Sequence, residues 1–326
     1  MNILRVGDPH IKPSNIMESE SLLGFVLSKA LEFKVDRVEI LGDLFDTHDI
    51  VRLKVLEFWQ KWLTKLSTEK FETVVLVGNH DLSGDYNSTY SALTPLMSIG
   101  NGLTIVDRPH IDGFYGYLPY IHDNQKFIEE ANNLANSGAT VLVSHPNYAG
   151  AVYDNGHTID NGVSDSDIDH RFHHLIGGHI HTELELGRIW YTGNPRWLTK
   201  SCANKKKGIW LIEHSDTDGK IQSKQFISTA EVCTPIVSLK WSEGEDKPEI
   251  PKNAKVDVEL VGSSDWVQKT KKDLIGSVSV SSKITDIKKS RERKSGSNLH
   301  EFLLKHYTSD KKDKLINYMK GLELLG

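Results

Sequence analysis

Five short apolar runs in the first 180 residues end on the same few residue types, and this constrains the fold more than any other feature of the chain. Residues 3–6 give way to Asp8-Pro9-His10 (GDPH), 38–41 to Gly42-Asp43, and 74–77 to Gly78-Asn79-His80-Asp81 (GNHD). Val143 is followed by Ser144-His145, and Leu175-Ile176 by Gly177-Gly178-His179-Ile180-His181 (GGHIH). Between the first runs lie segments with helical spacing, 19–33 (Leu22, Leu23, Val26, Leu27, Ala30, Leu31) and 53–66. That βαβαβ order predicts a layered α/β fold with helices on the sheet faces. Further strands are expected at 103–106, 140–143, 189–191 and 208–212, some of them antiparallel additions. In such sheets the carboxyl ends of the strands share one edge, where ligands bind. Five strands therefore aim Asp, His or Asn at one place.

The inventory at that edge is Asp8, His10, Asp43, Asn79, His145, His179 and His181. Mixed imidazole, carboxylate and amide donors suit Mn²⁺, Fe²⁺ or Zn²⁺, whereas Mg²⁺ and Ca²⁺ prefer all-oxygen shells. Seven ligands exceed what one such ion takes from protein, so two cations sharing a bridging carboxylate are expected, with Asp43 the natural bridge. Each block alone is weak, since GD after a strand is commonplace and GNHD could be an Asn turn. Five blocks in order are not weak.

Composition narrows the setting. No apolar run approaches the roughly 20 residues of a spanning helix, and the amino terminus moves straight into a strand pattern, so a cytoplasmic protein without membrane contact is expected. Cys202 and Cys233 are the only cysteines, which excludes a disulfide framework or thiolate metal site and leaves both as packing residues. The net charge is −5, yet residues 265–326 hold 14 Lys or Arg against 8 Asp or Glu, a local +6. A positive segment can track a phosphate backbone or form a solvated helix surface.

The texture changes near residue 215. Residues 215–220 (SDTDGK) read as a hairpin turn and 241–251 as a polar, proline-bounded connection. Residues 256–261, 266–274 and 277–280 suggest a small α+β module. A polar stretch, 288–297, precedes a last helical segment, 299–325, whose apolar side includes Leu299, Phe302, Leu303, Leu315, Ile316, Met319, Leu322 and Leu325. The expected domains are 1–230, 231–290 and a tail, 291–326. His170, His173 and His174, beside Asp165, Asp167 and Asp169, read as a solvated helix or loop that helps shape the site. Residues 205–207 (KKK) read as a hairpin tip. Arg196 and Trp197, after the GNP turn, are candidates for a DNA backbone clamp, since Arg pairs with phosphate and Trp offers a stacking plane.

With GDPH, LGDLFD, VGNHD, SHP and GGHIH all present, the sequence resembles the calcineurin-like metallophosphoesterases. GDLFD together with YTGNP at 191–195 resembles, more narrowly, the SbcD-type DNA nuclease subunits and the shorter recombination-nuclease subunits of large phages. The resemblance implies a two-sheet sandwich flanked by helices, followed by a small capping domain and a tail helix. It implies one cation on Asp8, His10, Asp43 and His181, and a second on Asp43, Asn79, His145 and His179, with Mn²⁺ the expected ion. His80 would then protonate the leaving oxygen, with Asp81 orienting its ring. Asp46 matches the acid of the SbcD-like branch, and His48 is a candidate second phosphate contact. The prolines usual soon after GD-x-F are missing between Asp43 and Leu53. Implied partners are DNA, an SbcC-type coiled-coil ATPase docked by the tail, and a second copy of the chain held through residues 53–66 and the segment after Asn87. The implied activity is a metal-dependent DNA exonuclease or endonuclease working in recombination, repair or replication, in a phage-infected or bacterial cell. The alternative is a small-molecule or cyclic-nucleotide phosphodiesterase or phosphatase of the same fold, and the basic tail speaks against it. A non-enzymatic scaffold is disfavoured by the complete ligand set.

Overall fold

The computed structural model of the chain describes residues 1–83, 90–100, 102–274 and 278–285. Its elements are β1 (Asn2–Val6), α1 (Ile16–Glu32), β2 (Arg37–Ile40), α2 (Leu53–Ser67), β3 (Glu72–Leu76), β4 (Leu103–Val106), β5 (His110–Asp112), β6 (Tyr115–Leu118), α3 (Asn124–Asn136), β7 (Val141–Ser144), β8 (His174–Gly177), β9 (Leu184–Leu186), β10 (Ile189–Tyr191), β11 (Gly208–His214), β12 (Ile221–Ser228), β13 (Ile236–Ser242), β14 (Lys255–Gly262), α4 (Ser264–Leu274) and β15 (Ser279–Ile284). Two compact units result, one of Met1–Leu239 with Glu249–Asp257, the other of Lys240–Pro248 with residues 258 onward.

Two six-stranded sheets form the first unit, in the orders β12-β11-β1-β2-β3-β4 and β5-β6-β7-β8-β10-β9. In the first sheet β1 to β4 run parallel, β11 runs antiparallel to β1, and β12 antiparallel to β11; in the second, β6, β7, β8 and β10 are parallel and β5 and β9 antiparallel. Because side chains alternate across a strand, each central strand feeds two cores. In β3, Val74 and Leu76 enter the layer between the sheets with Tyr117, Val143, Ile176 and Trp210, whereas Val75 joins Val26, Trp59 and Leu63 under the helices. Burial on both faces is why β3 and β7 read as unbroken apolar runs. On the far face of the second sheet, Phe127, Ala131 and Leu134 of α3 pack with Leu142 and Leu175.

The register aligns the strand ends. Val6 lies opposite Ile40 and Ile40 opposite Val75, while Ser144 and Tyr191 both lie opposite Gly177. The loops that follow therefore emerge side by side.

The second unit contains α4, β15 and the outer parts of β13 and β14, which join in a three-stranded sheet. Among its described residues the buried apolar ones are Val258, Leu260, Val267 and Leu274, and Trp241 meets Trp266 edge to face at 5.5 Å.

Within the described residues the expected strands and helices occur with shifted ends. Helix α1 begins at Ile16, after a 3₁₀ turn at Pro13–Asn15, and β13 carries Trp241 and Ser242, so the polar connection starts later than 241. The stretch at 165–174 is a loop pinned by Arg188, which donates to the carbonyls of Asp165, Ile168, Asp169 and Phe172. It leads into the start of β8, the opposite end from the GGHIH loop, so His170, His173 and His174 do not shape the site. The tail, 291–326, and the polar stretch, 288–297, lie outside the described residues, and of the segment after Asn87 only 90–100 is described. Among the described residues no helix is long and apolar enough to cross a membrane.

Candidate metal centre

Seven donors expected from five strand ends do meet. Asp43 lies in the middle: its Oδ2 is 3.5 Å from His10 Nε2 on one side and 3.4 Å from His145 Nε2 on the other. Beyond His10, His181 Nε2 stands 3.0 Å from His10 Nε2 and 3.8 Å from Asp8 Oδ2. Beyond His145, Asn79 Oδ1 is 3.1 Å from His145 Nε2 and 2.8 Å from His179 Nδ1. Among the described residues three groups of potential ligands emerge, Asp8–His10–His181, His10–Asp43–His80 and Asp43–His145–His179, each with its ligating atoms within 4.8 Å of one another.

The loops achieve this with unusual backbone. His10 (φ 45°), Asp43 (φ 50°) and His179 (φ 78°) all adopt the left-handed conformation, which costs an L residue about 1–2 kcal/mol. Close approach is needed as well. A Cβ at Gly42, itself at φ 104°, would lie 2.6 Å from His145 Nδ1, and one at Gly178 would lie 2.7 Å from that atom and 2.8 Å from Asp8 Oδ1. Backbone amides fix the carboxylates: His179 N donates to Asp8 Oδ2 at 2.7 Å and His80 N to Asp43 Oδ1 at 2.8 Å. His145 Nδ1 donates to the Leu41 carbonyl at 2.6 Å, which turns Nε2 toward Asp43 and Asn79 at the centre.

Electrostatics follow from burial and crowding. Burial, with Asp43 adding repulsion, pushes the Asp8 carboxyl up to about 8. Asp43 moves the other way: burial would raise it, but the neighbouring His145 holds it well below the usual carboxylate range. For His145 burial works downward and is outweighed by Asp43 and Asp8, which push it up to about 9. Burial lowers His10, takes His179 down to about 3 and His181 down to about 4, so these three stand neutral, the form that ligates a metal. The donor set fits divalent cations: it mixes nitrogen and oxygen, two imidazole nitrogens face each other, and the buried Asp8 Oδ1 has no hydrogen-bond partner.

Residues 1–183 match the calcineurin-like phosphoesterase family. The chain belongs to that family. Among curated proteins, exonuclease subunit 1 of Enterobacteria phage T4 is 25% identical over 224 residues, 65% of each chain, so this chain spans about two thirds of that relative's length. A putative phosphoesterase of invertebrate iridescent virus 6, 244L, is 27% identical over 202 residues, covering 59% of this chain and 69% of its own. Among solved structures, the E. coli phosphoesterase YfcE aligns over 70% of this chain and all of its own at 12% identity and a TM-score of 0.32.

Not every expected residue of this calcineurin-like phosphoesterase is where its sequence suggested. His80 is at the centre, its Nδ1 donating to the Asp46 carbonyl at 2.9 Å, and exposed His48 stacks on its ring at 4.1 Å. Asp81 does not orient that ring. Its buried carboxylate accepts from Phe45 N at 3.0 Å and Gly78 N at 2.9 Å, tying the GDLFD and GNHD loops together. Arg196 and Trp197 are not a DNA clamp: Arg196 is 2% exposed and pairs with Glu18 and Ser19, and Trp197 packs in the helix-side core with its Nε1 on the Lys205 carbonyl. Nor are residues 205–207 a hairpin tip. They lead from a 3₁₀ turn (Lys200–Cys202) into β11, and Lys207, 1% exposed, donates to the His181 carbonyl. Sequence reasoning missed Asp154, Lys12 and Tyr153. Lys12 pairs with both Asp46 oxygens at 3.1 Å, and the Tyr153 hydroxyl lies 3.5 Å from His179 Nε2. Lys12, two residues from His10 in the first block, had the one readable signal.

Proposed function

We propose that this phosphoesterase is a DNA nuclease subunit that hydrolyses phosphodiester bonds with two divalent cations, Mn²⁺ by preference. Asp8, His10, Asp43 and His181 hold one ion, and Asp43, Asn79, His145 and His179 the other. The observation that carries the reading is Asp43, buried with one carboxylate oxygen 3.5 Å from His10 Nε2 and 3.4 Å from His145 Nε2. When bound, the pair supplies charge to a nonbridging phosphate oxygen and lowers the pKa of the attacking water.

The chain's own residues do the rest. Because the Asp46 carbonyl holds Nδ1–H of His80, its Nε2 is the nitrogen that delivers a proton to the departing sugar oxygen. Asp46, clamped by Lys12, keeps that carbonyl in place. His48, stacked on His80 and exposed, is a second contact for the phosphate chain. Similarity to a phage exonuclease subunit supports DNA as substrate and a multi-subunit assembly. In that assembly residues 231–290 are the capping module of the subunit, residues 299–325 dock on an SbcC-type ATPase with long heptad arrays, and α2 contributes to a homodimer in the cytoplasm of a phage-infected or bacterial cell.

The test is hydrolysis of linear duplex DNA with Mn²⁺, run beside p-nitrophenyl phosphate and a cyclic dinucleotide. Nucleotide release from DNA, abolished by chelation, is the expected result. Turnover of the small substrates alone would overturn the nuclease reading and leave a phosphodiesterase of the same fold.

A further inference from the structure

A second group of polar side chains lies behind His181, outside the ligand set. Asp154, in the loop between β7 and β8, places Oδ2 3.9 Å from His181 Nδ1, while Nε2 of the same ring faces His10 and Asp8. One nitrogen of His181 thus looks toward the centre and the other toward a carboxylate. That carboxylate is itself held. The Thr182 hydroxyl donates to Oδ1, Lys205 Nζ donates to Oδ1 at 3.0 Å, and the Cys202 thiol donates to Oδ2 at 3.0 Å. Lys205 also reaches the Asp154 carbonyl at 3.3 Å and the Thr182 hydroxyl at 3.0 Å, and Lys207 holds the His181 backbone.

The arrangement has a chemical reading. A histidine binds a divalent cation as neutral imidazole, one nitrogen giving its lone pair and the other keeping its proton. A carboxylate facing that N–H fixes the tautomer and the aim of the ring and raises its basicity. The 3.9 Å separation exceeds a direct hydrogen bond, and a small ring rotation or one bridging water closes it. Of the other ligand rings, His145 uses the Leu41 carbonyl for the same purpose.

We propose that Asp154 is a positioning residue for the cation of Asp8, His10 and His181, holding the His181 ring in register while Thr182, Lys205 and Cys202 hold Asp154. The inference rests on the two-cation reading above. It does not depend on DNA being the substrate.

Mn²⁺ binding to the full chain, followed by the electron paramagnetic resonance signal of the free ion, tests it, with hydrolysis of bis(p-nitrophenyl) phosphate measured at each Mn²⁺ concentration. Asp154→Asn is expected to weaken one of the two bound Mn²⁺ by about 10- to 100-fold, to leave the other at wild-type affinity, and to regain wild-type kcat at saturating Mn²⁺. Asp154→Glu, which keeps the charge, is expected to recover part of the affinity. Two wild-type affinities in a folded Asp154→Asn protein, or equal weakening of both ions, would overturn the proposal. Should that variant not fold, Thr182→Val and Lys205→Met loosen the carboxylate without removing it: weakening of one ion supports the role, and unchanged binding refutes it. Wild-type protein that takes up no Mn²⁺ would instead sink the two-cation reading itself, so the two failures are distinct.

Discussion

Between the two sheets, charge is buried by matching opposites, whereas along the strand ends one matched pair, Asp43 and His145, stands among donors that face their own kind, His10 against His181 and Asp8 against Asp43. In the first place Arg5 Nε donates to Glu39 at 2.5 Å, the Tyr117 hydroxyl donates to the other Glu39 oxygen at 2.6 Å, and Arg37 donates to Tyr117 at 2.6 Å and to Glu72 and Asp112. Burial would raise the Glu39 carboxyl, but Arg5 and Arg37 hold it below the usual range, as expected of a paired anion. In the second place carboxylates and lone-pair nitrogens converge, and Asp8 is pushed up instead. In the first set the chain itself supplies the countercharge, although Arg5 Nη1 and Nη2 stay buried without a hydrogen-bond partner. A set of like donors needs a cation from outside, and this contrast separates a structural cluster from a chemical one at equal burial.

Three substitutions would break or sharpen the contrast. The largest effect is expected at the strand ends from His80→Ala: Mn²⁺ content unchanged by elemental analysis, and DNA cleavage slowed about 10²- to 10⁴-fold. The deficit should shrink on bis(p-nitrophenyl) phosphate, whose leaving group needs little protonation. Between the sheets, Glu39→Ala leaves Arg5 as an uncompensated buried cation, for which about 3–5 kcal/mol of stability is expected to vanish in urea unfolding. Mn²⁺ affinity of the folded protein should stay put, and a change there would mean that the two clusters are coupled.

The smallest effect concerns pH. Burial, helped by Arg5, lowers His214 to about 3, and its Nε2 is buried without a hydrogen-bond partner. A histidine whose folded pKa is depressed below its ordinary 6.5 binds fewer protons folded than unfolded. It therefore contributes stability above about pH 6.5 that is lost as pH falls toward 3. His214→Asn is expected to flatten the acid limb of the chelated protein's stability curve by at most about 1.4 kcal/mol per pH unit. Identical acid limbs would show that His214 does not titrate with unfolding.

Much of the strand-end centre was legible because each of its seven donors lies within five residues of the end of an apolar run, so local sequence and topology carry the same information. Helix α3 was not read: NQKFIEEANNLAN contains few apolar residues, and only Phe127, Ala131, Leu134 and Ala135 are buried. The inter-sheet charges were equally silent, since a mid-strand Arg5 or Glu39 looks like a solvent-facing position until the second sheet covers it. Arg196, Trp197, Lys205 and Lys207 misled for the converse reason. Their polarity suggested an outer surface, but partners far off in sequence, Glu18, Ser19, Asp154 and His181, draw them inward. Asp154 lies in a loop without periodicity, where no local pattern marks an acid as the neighbour of His181, 27 positions later.

The left-handed backbone at His10, Asp43 and His179 has a bearing on protein engineering. Copying the seven side chains onto the regular strand ends of another scaffold would not reproduce their aim, because three of them leave the chain from torsion angles an ordinary β-strand does not visit. A transplant of this chemistry has to carry its kinked connecting segments and their glycines, and a library that randomises those segments should lose cation uptake before it loses solubility.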